Sequence, residues 1–144
     1  MKSELSFRPF GMPDRDIKDL EKNGIRYDRR SRAAYLSEFS SPSVVRNEDI
    51  ADFELAHSVS LPNDYRDFLL KQNGGKPNKD MVFVQEHGWT IIQHFSPLIC
   101  RIKSIALKQL IDVTYEGRMP KWFIPIATTP GGSWFVLSIK SDSF

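Results

Sequence analysis

The chain holds a single cysteine, Cys100, so no disulfide can close within it. That usage fits a reducing compartment, and the setting Leu98-Ile99-Cys100 reads as a small buried hydrophobe, not a nucleophile. No apolar run approaches the ~20 residues that span a bilayer, which excludes a membrane-crossing helix. The start, Met1-Lys2-Ser3-Glu4-Leu5, lacks the apolar core of an export signal and reads as a cytosolic N-terminus. His57, His87 and His94 share neither helical nor alternating spacing, so no metal pair is written in the sequence. There is no nucleophile elbow, no His-Glu-x-x-His and no phosphate loop. Gly74-Gly75-Lys76 follows a helix instead of opening one, so an anion there would meet the wrong end of the dipole. Charge excess is small too: 20 Lys/Arg against 18 Asp/Glu leave +2, too little for a nucleic-acid binder. The expectation is a cytoplasmic protein with no cofactor, no metal and no catalytic residues, bound neither to membrane nor directly to nucleic acid.

What the chain does have is a good core and one explicit helix. Its 144 residues, 40% hydrophobic and 26% charged, suit one globular domain. In Leu61-Pro62-Asn63-Asp64-Tyr65-Arg66-Asp67-Phe68-Leu69-Leu70-Lys71-Gln72-Asn73-Gly74-Gly75, proline suits a first helical turn. Tyr65, Phe68 and Leu69 then form one apolar face, and Asn73-Gly74-Gly75 stops the helix. Before it, Asn47 can cap a helix with Ile50 and Phe53 turned inward. Met81–Gln85 and Trp89–Phe95 flank Glu86-His87-Gly88 as an antiparallel hairpin. A further helix is predicted from Ile102 to Tyr115, with a stripe of Ile102, Ala106, Leu110 and Val113 widened by Leu107 and Ile111. A second hairpin joins Trp122–Ala127 to Ser133–Ile139 through Thr128-Thr129-Pro130-Gly131-Gly132. Pro125 cannot donate to a ladder and predicts an edge or a bulge. Trp89, Trp122 and Trp134 fall in these strands, where interleaved Ile, Val and Phe favour core over an exposed stacking platform.

The N-terminal part, 1–43, reads as an extension that packs on a main domain, 44–144. In it Pro13–Asn23 suits a short helix with Ile17 and Leu20 inward and Gly24 as terminator. Ile25–Asp28 and Ala34–Phe39 alternate weakly and are predicted as two strands around a basic loop of Arg29, Arg30 and Arg32. Charge is uneven. Residues 1–46 carry ten bases against seven acids, whereas 47–67 hold Glu48, Asp49, Asp52, Glu54, Asp64 and Asp67 against Arg66 alone. Those six acids are either solvated helix faces, favoured by the dipole at helix N-termini, or a surface for a basic protein partner.

Helix–helix–hairpin–helix–hairpin predicts an α+β domain with helices on a mainly antiparallel sheet. Three segments in this order resemble the SUKH superfamily, the Smi/Knr-type domain. They are the acidic helix with Leu-Pro-x-x-Tyr-x-x-Phe-Leu to Asn-Gly-Gly, the Trp89/Phe95 hairpin with Ile102 to Leu110, and Trp122–Ala127 with Pro130-Gly131-Gly132 and the last strand. The resemblance covers about residues 44–142. It implies helices around a curved, mainly antiparallel sheet. It also implies, for the bacterial branch, an immunity protein that binds and neutralises a cognate toxin domain, often a nuclease, by non-covalent occlusion. Fungal relatives act as interaction scaffolds, so a scaffold or regulatory ligand-binding domain is the alternative. The resemblance carries no catalytic residue. Similar proteins usually continue past the position of Ser141-Asp142-Ser143-Phe144, which suggests that the predicted N-terminal strands cover a sheet surface or edge that would otherwise be open. Oligomeric state is expected to be monomer or weak homodimer.

Overall fold

A computed structural model describes residues 4–139. The start and the Lys140–Phe144 tail lie outside the described residues. The elements run β1 (Phe7–Arg8), α1 (Asp14–Lys22), α2 (Arg29–Ser40), α3 (Asn47–His57), α4 (Asn63–Lys71), β2 (Lys76–Pro77), β3 (Met81–Val84), β4 (Gly88–Ile91), β5 (His94–Phe95), α5 (Leu107–Gln109), β6 (Phe123–Thr128) and β7 (Trp134–Ser138). The fold is α+β, with every strand pair antiparallel.

Strands β5, β6 and β7 form one sheet in that order, and β1 pairs with β2. Gly75 exchanges both backbone bonds with Phe95, at 3.0 and 2.8 Å, and so joins the two into a ribbon ordered β1-β2-β5-β6-β7. Gly74 and Gly75 therefore do more than end α4. A Cβ on Gly74 would lie 2.5 Å from the Phe95 carbonyl oxygen, and its φ is +73°. The expected bulge at Pro125 is present as a register shift between Pro125 and Ala127.

The core lies between the ribbon and α3, α4 and α5. Val45, Ile50, Phe53, Leu61, Tyr65, Leu69, Leu98, Leu107 and Ile124 fill it. Leu69 and Leu107 are wholly enclosed, each worth about 1.5–3 kcal/mol of burial. Helix α3 begins with Arg46 as its cap residue, one position before the expected Asn47. The Arg46 N–H donates to Asp49 Oδ2 at 2.8 Å. Asn73 brackets the end of α4: its amide donates to Ile99 O at 2.7 Å, and its Oδ1 accepts from Leu98 N at 2.8 Å.

Several sequence expectations are corrected. Residues 29–40 are a helix, not part of a strand pair, because Asp28 Oδ1 accepts from Ser31 N at 2.7 Å and caps it. No strand from that segment covers β7, whose strand partner among the described residues is β6. The extension instead lends Phe7–Arg8 to the edge of β2. It also lends Glu38, a buried carboxylate that accepts from Ser43 N, Ser43 Oγ and Arg101 Nη1 at 2.9, 2.9 and 3.0 Å.

The expected Trp89–Phe95 strand splits, since His94–Phe95 leave the hairpin to pair with β6. The expected Ile102–Tyr115 helix is a 3-10 turn (Lys103–Ile105), then α5, then a π turn (Leu110–Thr114). Ala106 breaks it with an extended backbone (ψ 142°), and Leu107 N donates to Pro97 O at 2.9 Å. The π turn rotates Val113 off the apolar stripe, leaving it 62% exposed. Trp89 and Trp122 are surface residues, at 67% and 39% exposure, Trp89 on the outer face of the β3–β4 hairpin and Trp122 in the turn before β6.

Candidate functional site

The six acids expected to form a partner surface separate into two groups. Three are tied to their own chain. Asp49 caps α3, and Asp64 Oδ1 accepts from Tyr65 N at 2.8 Å. Glu54 Oε2 accepts from Leu61 N at 2.6 Å and from Arg66 at 2.5 Å, which locks α3 to α4. The other three, Glu48, Asp52 and Asp67, are exposed and form no ion pair or side-chain hydrogen bond among the described residues. Glu48, Asp52 and Leu55 stand four and three residues apart, so they share one outer face of α3. Leu55 is 84% exposed. The result is an apolar side chain among unpaired carboxylates, with Asp67 on the neighbouring α4.

A cleft of about 430 Å³ opens at the C-terminal end of α3. His57 and Asp112 lie on its wall, with Nε2 to Oδ1 at 2.9 Å. The other ring nitrogen, Nδ1, lies 2.9 Å from Phe53 O. Asp112 thus joins α3 to the π turn through His57. Tyr115 Oη accepts from Trp134 Nε1 at 2.5 Å. His57 Nε2 and the Tyr115 phenol therefore join elements, while Nδ1 is held within α3.

A larger apolar groove, about 870 Å³, lies between α4, the β3–β4 hairpin and the sheet. Phe68, Val82, Ile92, Phe95 and Leu137 line it, and Lys71 and Lys79 stand among its walls. Tyr65 also lines it. Its buried hydroxyl has no partner among the described residues, and burial drives its pKa well above that of a free phenol. Cys100 is half-buried, and burial pushes its thiol up to about 11, so it stays a thiol at neutral pH.

Sequence reasoning missed the outer face of the hairpin. Met81, Phe83, Trp89 and Ile91 project there together, paired Met81–Ile91 and Phe83–Trp89 across the strands. All four are exposed. Alternation in both strands announced the face, but not that the described residues leave it exposed. The His87 and Glu86 tip is exposed, with Glu86 in a left-handed turn conformation. Among the described residues no three His, Cys, Asp or Glu side chains gather as a metal site, and no helix is long and apolar enough to cross a membrane.

Comparison with known proteins agrees with this architecture. The SPbeta prophage-derived uncharacterized protein YokK of Bacillus subtilis (strain 168) is 28% identical over 116 residues, which cover 69% of this chain and 60% of that protein. The chain thus spans well under two thirds of that curated relative. No solved structure matches it. The SMI1 / KNR4 family (SUKH-1) pattern matches residues 45–144, taking in α3, α4, both hairpins and the whole core between them. The chain belongs to the SMI1 / KNR4 family, SUKH-1.

Proposed function

We propose that this chain is an immunity protein that neutralises a cognate toxin domain by non-covalent occlusion, in the cytoplasm and without chemistry of its own. Its family includes immunity proteins. The observation that carries the reading is the set of exposed carboxylates without an ion pair among the described residues, Glu48 and Asp52 on the face of α3 that carries the exposed Leu55, and Asp67 on α4. A nuclease must present cations to its substrate's phosphates, and such a groove complements free carboxylates. Carboxylates already bonded within the chain contribute less, so Asp49, Glu54 and Asp64 drop to supporting roles in a contact centred on the free three. With a pI near 8.7 the protein is no general mimic of nucleic acid, so the acids act locally.

The test is the affinity for a toxin domain encoded by a gene adjacent to that of this chain. Reversing Glu48, Asp52 and Asp67 together to lysine should weaken binding by about 100-fold or more, most strongly at low salt. Unchanged affinity places the interface elsewhere. A second reading, a regulatory ligand-binding domain, is favoured by the 870 Å³ groove, which has the size and apolar lining of small-molecule sites. Toxin binding that survives filling of that groove by a Val82→Trp substitution separates the two.

A further inference from the structure

We propose that the outer face of the β3–β4 hairpin is the interface of a homodimer, in which two copies of the chain pack face to face about a twofold axis. This goes beyond toxin binding and stands independently of it.

The face is made of two rungs, Met81–Ile91 and Phe83–Trp89, with the Val82–Thr90 rung between them pointing the other way. Exposures are 61%, 43%, 61% and 67% in that order. The two aromatics offer up to about 150–250 Å² each when fully exposed, and at these exposures they leave, with Met81 and Ile91, roughly 500 Å² per copy to be covered. Two such faces bury about 1,000 Å², the lower bound for a specific interface. A patch this large also sits near the top of what monomers leave in water. Among the described residues the hairpin pairs with no other strand, and its outer face is exposed.

Three features point to a second copy. First, the face carries no charge, so it offers nothing to a cationic groove and costs no ion desolvation when covered. Second, a twofold axis lying across the strands at the middle rung sets each Phe83–Trp89 rung on the partner's Met81–Ile91 rung. Aromatic then meets aliphatic twice over, with the Met81 sulfur against a ring. Third, the same operation reverses strand direction, which brings Lys79 at the open end towards Glu86 at the turn. The edge-to-face contact of Phe83 and Trp89, with centroids 5.5 Å apart, already holds the two rings in place. An isologous contact of this kind closes on itself and stops at two copies.

Sedimentation equilibrium of the full chain, from about 1 to about 300 µM, tests this. The expected result is a rise with concentration from 16.6 kDa to twice that mass. Phe83→Glu with Trp89→Glu should raise the dimer dissociation constant at least ~100-fold while circular dichroism stays unchanged, and melting stays unchanged at about 1 µM, where the wild type is a single copy. Glu86→Lys and Lys79→Glu should each weaken the dimer, and the double swap should restore it. Reversal of Glu48, Asp52 and Asp67 should leave it intact, which separates this inference from the toxin reading. A wild-type chain that stays at one copy throughout, or a doubling that persists in the Phe83/Trp89 variant, overturns the proposal.

Discussion

Replacing Glu38 by alanine should cost about 3 kcal/mol of folding stability. The carboxylate is 2% exposed and accepts four bonds, from Ser43 N, Ser43 Oγ, Arg101 Nη1 and, at 3.3 Å, Arg101 N. Breaking a buried ion pair costs about 3–5 kcal/mol because the partner charge is left unmatched. Here the Arg101 side chain keeps 43% of its exposure and can turn to water, which sets the cost at the lower end. Arg101 also donates to Ser41 O at 2.7 Å, a bond that the substitution leaves in place. Since whole domains are stable by about 5–15 kcal/mol, the loss is readily measured by urea unfolding. In an Arg101→Ala background the same change should cost about 1–2 kcal/mol less, the coupling of two groups in contact. A cost below about 1 kcal/mol, or full additivity in the double variant, would falsify the claim that Glu38 clamps the extension to the rest of the chain.

Gly74→Ala should destabilise by about 2–4 kcal/mol, because its Cβ meets the backbone of Phe95 and Ser96 at 2.5 and 2.8 Å, whereas Gly24→Ala, with open space around it, should cost only about 1 kcal/mol. Equal costs by chemical denaturation contradict the close approach. Tyr65→Phe removes a buried hydroxyl that has no partner among the described residues and should be neutral or stabilising by about 1 kcal/mol. A clear loss of melting temperature would show that the hydroxyl is bonded. Burial, and after it the positive charge of Lys76, lowers the pKa of His94, which packs against the edge of Phe10. A depressed folded value means that the unfolded chain takes up the proton first. Stability is therefore full above the ordinary value of 6.5 and is lost as pH falls through the lower folded value. Melting curves from pH 8 to pH 5 should show this loss, and His94→Gln should flatten it.

Much of the architecture was legible where the signal was local. The ends of α4, the turn at Glu86-His87-Gly88, and the bulge at Pro125 each rest on a few neighbouring residues with a strong backbone preference. Helix α2 was missed because a short alternation at Ala34–Phe39 outweighed a better signal, Asp28 three residues before Ser31. Its one buried side chain is Glu38, a residue type that sequence reasoning sends to water. The break at Ala106 arises from a bond to Pro97, and the split of the Trp89–Phe95 strand from pairing with β6. Neither partner is near in sequence. For the candidate site, the sequence placed the acids on two helices but could not tell which were spent on Arg46, Leu61, Tyr65 and Arg66. Alternation likewise gave both faces of the first hairpin without saying which one the fold would cover.

Immunity by occlusion is tested most directly by the activity of a toxin domain encoded by a neighbouring gene, assayed in the presence of this protein. The account predicts that activity falls to background at one equivalent and returns when Glu48, Asp52 and Asp67 are reversed. Toxin activity that is unaffected by an excess of the folded protein contradicts it.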